Sequence, residues 1–195
     1  NRNKIKTDKG SLWLTVPVLR SGYREKTIAE ININNDTRWN IKHWKSIKQF
    51  YGKAPYFNRY SNFFEDVYIK KEWEYLIDIN EYMLKWFLDE LSIKTKFLDA
   101  KEYYLKGKKS DLVLDMCKKL KAKTYIFGKH GTDYADLVSF EENNIDIIFQ
   151  DYRHPKYHQL YPGFIPYLSI IDLLFNYGPN SKEILLRNNI EKITK

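Results

Sequence analysis

Alternating apolar and polar residues predict two strands near the start of the chain. The first covers residues 11–18 and the second covers residues 27–33, with Ser21 and Gly22 suited to the turn between them. Pro17 has no amide hydrogen to donate, so that part of the first strand is expected at a sheet edge or a strand end. The apolar side chains of the first strand share one face: Leu12, Leu14, Val16 and Val18.

A helical segment is predicted at about residues 38–91. Residues 35–37 (Asn-Asp-Thr) offer a cap for a helix that runs to Tyr51. Pro55 fits the first turn of a second helix, which ends at about Lys70. Apolar residues at helical spacing predict a third helix over residues 72–91.

The second half of the chain alternates between strands and helices. This order is typical of parallel strands joined by right-handed crossovers, so the strands that end at Asp99, Phe127 and Phe149 should be parallel neighbours. We therefore expect an α/β fold with three layers and a partly parallel sheet, in a single domain over residues 1–195. The predicted strands and helices are 94–98, 110–120, 124–127, 134–142, 145–149, 168–177 and 181–188.

Composition narrows the class of protein. Of the 195 residues, 43% are hydrophobic and 16% are aromatic, which is enough for a packed core and excludes wholesale disorder. Cys117 is the single cysteine, so no internal disulfide can form, and a reducing, cytoplasmic setting is expected. Its place in the middle of a helix indicates a structural thiol rather than a nucleophile. No apolar run reaches the roughly 18 residues of a membrane span.

The formal net charge of +8 points to an anionic partner such as a nucleotide, a nucleic acid or an acidic membrane. The excess is mostly lysine, interspersed with acidic residues along the chain, which favours a compositional origin over a dedicated nucleic-acid surface. A small anionic molecule is therefore the expected partner. Nucleic acid is the less favoured one.

A glycine-containing turn follows the predicted strand over residues 124–127. In open parallel sheets ligands bind beyond the carboxyl ends of the strands, and glycines let a backbone approach an anion. The turn is not a complete phosphate-binding motif, so an ordinary tight turn with Gly131 at positive φ stays open as an alternative. The candidate substrate-binding residues here are Gly128, Lys129, His130, Gly131 and Tyr134.

A dense polar loop over residues 150–159, the His154 loop, follows the predicted strand over residues 145–149. His154 is the candidate acid–base residue, because imidazole transfers protons near neutral pH. A hydrogen-bonded surface loop without catalysis is the alternative. The His154 and His158 spacing would suit a metal only on a helix, and Pro155 opposes one, so no metal site is expected. The candidate substrate-binding residues of this loop are Asp151, Tyr157 and Gln159.

Asp172 lies in a helix that is apolar nearly all round. A carboxylate there is expected to be buried and to need a partner from the His154 loop, from Arg153 or from Arg2. It is either a structural clamp for that loop or a catalytic group. Asn176, one turn later, should face the same way, and it joins Arg2 among the candidate substrate-binding residues.

Seven sequence motifs are spread over nearly the whole chain. They are Asn1-Arg2-Asn3-Lys4-Ile5, Trp13 to Val18, Trp39 with Lys42-His43, Tyr51 to Phe57, Gly128-x-x-Gly131-x-x-Tyr134, His154-Pro155-x-Tyr157-x-Gln159, and Phe164 to Gly178. Together these motifs resemble the WbqC-like protein family of bacteria, and the last two are the most specific.

The resemblance implies a cytoplasmic role in making or modifying an activated sugar, because family members occur in gene clusters for O-antigen and other surface polysaccharides. It also implies an upstream strand and a His-Gln-Pro-type turn, which this sequence does not contain. We expect a transferase that acts on a nucleotide-activated or other anionic sugar, with His154 and Asp172 as catalytic residues. A non-catalytic carbohydrate- or nucleotide-binding protein is the alternative. The sequence names neither a cofactor nor an oligomeric state.

Overall fold

The computed structural model describes residues 1–22 and 25–187, and these divide into two compact units. The larger unit contains residues 1–94 together with the segment that begins at His154. The smaller unit contains residues 95–153. Each unit has a hydrophobic core of its own.

The larger unit begins with an antiparallel hairpin of β1 (Arg2–Thr7) and β2 (Gly10–Thr15). Thr7 pairs with Gly10, whose φ of 128° closes the tight turn. The sequence predicted β2 but not β1, because five of the six residues of β1 are polar. Lys6 occupies a buried position, where an apolar residue would have given the usual strand pattern.

The predicted strand over residues 27–33 is wrong. A 3-10 helix spans Ile28–Glu30, and the Thr27 amide donates a hydrogen bond to the Glu30 carboxylate at 2.9 Å. This local side-chain contact satisfies the backbone in place of a strand partner. What remains of sheet pairing is a single bridge between Val18 and Ile33 and another between Asn32 and Tyr75.

The predicted helical segment is confirmed. It consists of α1 (Trp39–Tyr51), α2 (Phe57–Glu65) continuing as a π-helix over Asp66–Lys70, and α3 (Leu76–Glu90). Two further helices, α6 (Ile170–Tyr177) and α7 (Ser181–Leu186), belong to the same unit. The predicted end of the last helix, Asn188, lies outside the described residues. Aromatic rings fill the core between these helices, with Phe175 against Tyr51, Phe57 and Phe64.

The smaller unit contains the predicted parallel pair. It consists of α4 (Ser110–Lys119), β3 (Thr124–Phe127), α5 (Leu137–Glu142) and β4 (Asp146–Phe149), and β3 pairs with β4 in parallel register. The predicted strand over residues 94–98 is wrong, since this stretch forms neither helix nor strand. Its apolar residues Phe97 and Leu98 are 52% and 44% exposed, so no buried face holds it against a neighbour.

The α/β class is thus confirmed, with a parallel strand pair and α-helices in one chain. Cys117 is a buried free thiol in the core of the smaller unit, and burial raises its pKa, which agrees with a structural role. Among the helices that the structure describes, none has the length and apolar character needed to cross a membrane.

Candidate functional site

Asp172 in α6 is fully buried, as the sequence predicts, with an exposed fraction of 0%. The hydroxyl of Tyr51 in α1 donates to its Oδ1 at 2.8 Å, and the hydroxyl of Tyr157 donates to its Oδ2 at 3.0 Å. Tyr157 belongs to the His154 loop, so the expected link between that loop and Asp172 is confirmed. Arg2, another of the partners considered from the sequence, instead places its guanidinium over the Trp13 ring at 4.6 Å.

Lys6 supplies a positive charge to the same buried cluster. Its side chain is 1% exposed, and its ammonium donates to the carbonyl oxygen of Pro162 at 3.2 Å and to that of Gly163. Its backbone amide donates to the Tyr51 hydroxyl oxygen at 2.8 Å. The hairpin, α1, α6 and the His154 loop are therefore joined by hydrogen bonds that surround one carboxylate.

The electrostatics of the cluster follow from burial. Burial raises the pKa of Asp172, and the hydrogen bonds from Tyr51 and Tyr157 and the charge of Lys6 oppose that rise. Burial lowers the pKa of Lys6, and the nearby Asp172 charge opposes that fall. The pKa of Tyr51 is raised by burial and by the Asp172 charge, so its phenol stays protonated and donates. The opposite charges of Asp172 and Lys6 thus each oppose the effect of burial on the pKa of the other group.

Two buried amides hold the surroundings of Asp172 in place. Gln159 donates to the Ile165 carbonyl at 2.8 Å and accepts from the Ile165 amide at 2.9 Å, which closes the loop on itself. Its side chain also helps to stabilise the Asp172 carboxylate. Asn176 donates to the Asp172 carbonyl oxygen at 2.6 Å, so it faces the same side of α6 as predicted. Both side chains serve the geometry of the site.

His154 lies partly buried among aromatic rings. Its ring centroid is 4.9 Å from that of Tyr167, 5.8 Å from that of Phe164 and 6.1 Å from that of Tyr157. Its Nδ1 lies 2.9 Å from the Pro155 carbonyl oxygen, which can only accept a hydrogen bond. In the neutral ring that contact assigns the proton to Nδ1, so Nε2 is the nitrogen that can accept a proton.

The glycine turn lies in the smaller unit and begins a 3-10 helix over Lys129–Asp133. The positive φ expected at Gly131 for an ordinary tight turn is wrong. Glycine is required there because an added Cβ would lie 2.4 Å from the Cβ of Phe127. Tyr134 packs its ring edge against Phe127, with centroids 5.8 Å apart, and is 47% exposed. At Gly128 the space for a Cβ is open.

The charged residues of this turn are exposed. Lys129 Nζ lies 4.0 Å from Asp151 Oδ1, and both side chains are mostly solvent-accessible. His130 Nδ1 lies 3.5 Å from Asp133 Oδ2, again at the surface. Exposed pairs of this kind are weak, so Lys129 is able to exchange its partner for a ligand anion.

The structure therefore groups the candidate residues in two sets. One set lies in the larger unit: Arg2, His154, Tyr157, Gln159, Asp172 and Asn176. The other lies in the smaller unit: Gly128, Lys129, His130, Gly131, Tyr134 and Asp151. That the two sets share a cleft stays a prediction.

Sequence reasoning missed Lys6, and it treated Tyr51 as the end of the first predicted helix and as part of a family motif. The sequence does contain a signal for Lys6. It lies in Lys4-Ile5-Lys6-Thr7, where polar and apolar residues alternate just before a turn, which favours a strand. For Tyr51 the signal was its hydroxyl, since a buried tyrosine usually has a hydrogen-bond partner.

Comparison with known proteins identifies a family and a relative. The sequence profile described as the WbqC-like protein family matches residues 1–184. A protein of Mycobacterium tuberculosis named "Uncharacterized protein Rv1507c" is 32% identical over 186 residues, which cover 95% of this chain and 80% of that protein. No solved structure gives a significant match.

Proposed function

The chain belongs to the WbqC-like protein family, and we propose that it is a transferase of bacterial surface-polysaccharide biosynthesis that acts on a nucleotide-activated or other anionic sugar. The gene-cluster context that the family resemblance implies supports the pathway. The family match extends across both compact units, which supports treating residues 1–195 as a single domain of this family. Activated sugars are cytoplasmic molecules, so we propose a cytoplasmic location.

The observation that carries the proposal is the connection from His154 to a fully buried carboxylate. Tyr157 packs against the His154 ring and donates its hydroxyl hydrogen to Asp172. Burial raises the pKa of this carboxylate, and groups with perturbed pKa values cluster at functional sites, which supports the proposal. The loop that carries His154 is thereby fixed against α6, which is what an acid–base group needs for accurate positioning.

The proposed chemistry uses His154 as a general base. Nε2 of the neutral ring takes the proton from a hydroxyl group of the acceptor. At the same time the oxygen of that hydroxyl forms a bond to the sugar carbon of the donor. The bond from that carbon to the phosphate of the donor breaks, and the departing phosphate keeps the electron pair. Tyr157 and Gln159 hold the loop, and Asp172 with Lys6 holds Tyr157.

Binding of the anionic part of the substrate is proposed for the exposed turn of the smaller unit. Lys129 supplies the charge, and Gly128 leaves its backbone open to a ligand. His130, Tyr134 and Asp151 flank this turn. A charge that contacts a non-reacting phosphate stabilises the bound substrate and the transition state alike.

A non-catalytic sugar-binding protein is the second candidate. Tyr167, which contacts His154, is 62% exposed, and Trp13 is 50% exposed with Arg2 and Lys4 against its ring. Exposed aromatic faces of this kind can stack on sugar rings without any reaction.

Calorimetry of the full chain against a panel of nucleotide sugars tests the proposal. At least one nucleotide sugar is expected to bind with a one-to-one stoichiometry. Binding by wild type with release of free nucleotide supports the transferase, and binding without any release in the presence of acceptor sugars supports the second candidate. Absence of binding across the whole panel contradicts both.

A further inference from the structure

A cavity of about 480 Å³ opens in the larger unit, apart from the cluster around Asp172. Its walls come from the hairpin, α1, the π-helix, α3 and the first residues of α6. Within the described part of the chain, the lining includes none of residues 154–168 and does not include Asp172. Its volume lies within the range of small-molecule sites, roughly 300–1,000 Å³.

Most of the cavity wall is apolar. The two strands contribute Ile5, Leu14 and Val16, and α3 contributes Met83 and Phe87. Ile5 is 1% exposed, and the others are partly buried. Such a wall favours an apolar group that displaces water from it.

The cavity offers no charge to a ligand. Among the described residues that line it, no side chain is that of Asp, Glu or Lys, and Arg2 is the only one with a charged side chain. The Arg2 guanidinium lies over the ring of Trp13, which is outside the lining, at 4.6 Å. Because burying a charge without a partner is costly, the cavity favours an uncharged ligand.

His43 of α1 is one polar group in the wall, and it is 6% exposed. Its ring packs edge-on against Trp39 at 5.2 Å and against Tyr68 at 5.7 Å between centroids, so it cannot reorient freely. Burial lowers the pKa of His43 to about 4, so the ring is neutral at physiological pH, and one nitrogen donates to the Thr15 backbone carbonyl. A neutral imidazole has one donor and one acceptor nitrogen, so the other nitrogen is an acceptor.

The hydroxyl of Tyr68 is the second polar group in the same wall. The residue is 7% exposed, and burial raises its pKa, so the phenol stays protonated. No described residue forms a hydrogen bond with this hydroxyl or with the acceptor nitrogen of His43. Over residues 1–22 and 25–187, Trp44 Nε1 is the only fully enclosed side-chain nitrogen or oxygen without a hydrogen-bond partner. The two atoms are therefore accessible from the cavity that their residues line.

We propose that this cavity binds a small uncharged molecule with an apolar ring or chain and one hydroxyl group, which donates to His43 and accepts from Tyr68. A hydroxyl fits both contacts because it carries one donor hydrogen and two acceptor lone pairs. The inference is independent of the proposed transferase, since no residue of this cavity takes part in the proposed proton transfer.

The test is isothermal titration calorimetry of the full chain with three naphthalenes that differ in one group. The neutral 2-naphthol is expected to bind at one site per chain. The charged 2-naphthoate should bind at least about tenfold more weakly, because its carboxylate would lose water without gaining a counter-charge. Absence of saturable 2-naphthol binding, or tighter binding of 2-naphthoate, overturns the proposal. The third compound, 2-methylnaphthalene, has a methyl group in place of the hydroxyl and serves as the reference for the variants.

Two variants remove the polar contacts one at a time. Tyr68→Phe deletes only the hydroxyl and should weaken 2-naphthol about fivefold, while 2-methylnaphthalene changes by no more than about twofold. His43→Phe keeps an aromatic ring but leaves the ligand hydroxyl without an acceptor, so 2-naphthol should weaken about tenfold relative to 2-methylnaphthalene. Tyr104→Phe, at an 86% exposed position, and His130→Phe, at an exposed site of the smaller unit, are the matched controls and should change neither affinity.

A third variant locates the binding site. Leu84→Trp places a large ring at the 45% exposed edge of the cavity and should abolish binding of 2-naphthol and 2-methylnaphthalene. Leu112→Trp, at a 37% exposed position of α4, is its control. Binding that survives Leu84→Trp overturns the proposal.

The ratio of the two affinities decides the role of the polar contacts. If Tyr68→Phe and His43→Phe leave the affinity for 2-naphthol relative to 2-methylnaphthalene unchanged, the proposed hydroxyl contacts are wrong. Thermal unfolding checks that each variant is folded. Should His43→Phe fail to fold, Tyr68→Phe decides the question alone, because it removes a single oxygen atom and keeps the ring.

Discussion

The hydroxyl of Tyr157 donates to Oδ2 of Asp172 at 3.0 Å, and this bond ties the His154 loop to α6. Tyr51 occupies the other carboxylate oxygen from α1, so Asp172 joins three parts of the larger unit. A carboxylate without water depends entirely on such partners. Its removal should therefore disturb the loop as well as the core.

Asp172→Ala should lower the free energy of unfolding by about 3 kcal/mol, because it leaves the hydroxyls of Tyr51 and Tyr157 without their acceptor and the Lys6 ammonium without a nearby opposite charge. Asp172→Asn should cost less, since its amide oxygen still accepts one of the two hydrogen bonds. Urea denaturation measures both. Equal costs for the two variants would show that charge, rather than hydrogen bonding, is the requirement.

Lys6 and Asp172 should be energetically coupled. Lys6→Met removes the ammonium from the Pro162 and Gly163 carbonyls and leaves the Asp172 charge uncompensated. Combined with Asp172→Asn, it should cost less than the sum of the two single changes, by about 1–3 kcal/mol. A double-mutant cycle in urea measures this difference. Strict additivity would contradict the charge compensation described above.

His43 should make stability depend on pH. Its pKa falls from 6.5 to about 4 on folding, so between these values the unfolded chain binds more protons. Stability contributed by His43 is therefore present above pH 6.5 and is lost as the pH falls towards 4, by roughly 3 kcal/mol in total.

The measurement is the free energy of unfolding at pH 7 and at pH 5. His43→Gln, which keeps a hydrogen-bond donor but does not titrate, should reduce the loss between the two. His130→Gln, at an exposed site of the smaller unit, is the matched control and should behave as wild type. If both variants retain the full loss, His43 is not its source.

Lys129→Ala should weaken substrate binding without slowing the chemical step. Its exposed contact with Asp151 contributes little to stability, so the fold should be unaffected. With a nucleotide sugar that binds, KM should rise severalfold while kcat stays within a factor of two or so. Lys123→Ala removes the same charge at the other end of β3 and should leave KM unchanged. A rise in KM for both variants would indicate general attraction instead of a site at the turn.

Local pattern was sufficient for the helices and for the parallel strands β3 and β4. Their apolar faces repeat at a clear period, and Trp44, Ile47 and Phe127 of these elements are buried. The hydrophobic pattern failed to predict a strand where polar residues point into the protein interior. The polar residue Lys6 at a buried position of β1 kept that strand from being predicted. Ile31 and Ile33 favoured a strand over residues 27–33, where the structure instead has a 3-10 helix with a Thr27–Glu30 hydrogen bond.

The candidate site was predictable in part for the same reason. A single carboxylate in an apolar helix predicts a hydrogen-bond partner in the protein interior, and Asp172 accepts hydrogen bonds from two hydroxyls. The identity of these partners could not be predicted from local pattern. Tyr51, for example, is separated from Asp172 by 121 positions in the sequence and reaches it only through tertiary packing.

The most direct test of the central claim is the turnover of His154→Ala in the full-length protein, with a nucleotide sugar that wild type binds. As the proton-transfer group, His154 should contribute roughly 100-fold or more to kcat. As a partly buried loop residue, it should contribute no more than about 1 kcal/mol to stability. The account predicts loss of turnover with retained binding and a retained melting temperature. Unchanged turnover, or a melting temperature lowered as far as by a core truncation such as Leu174→Ala, would contradict it.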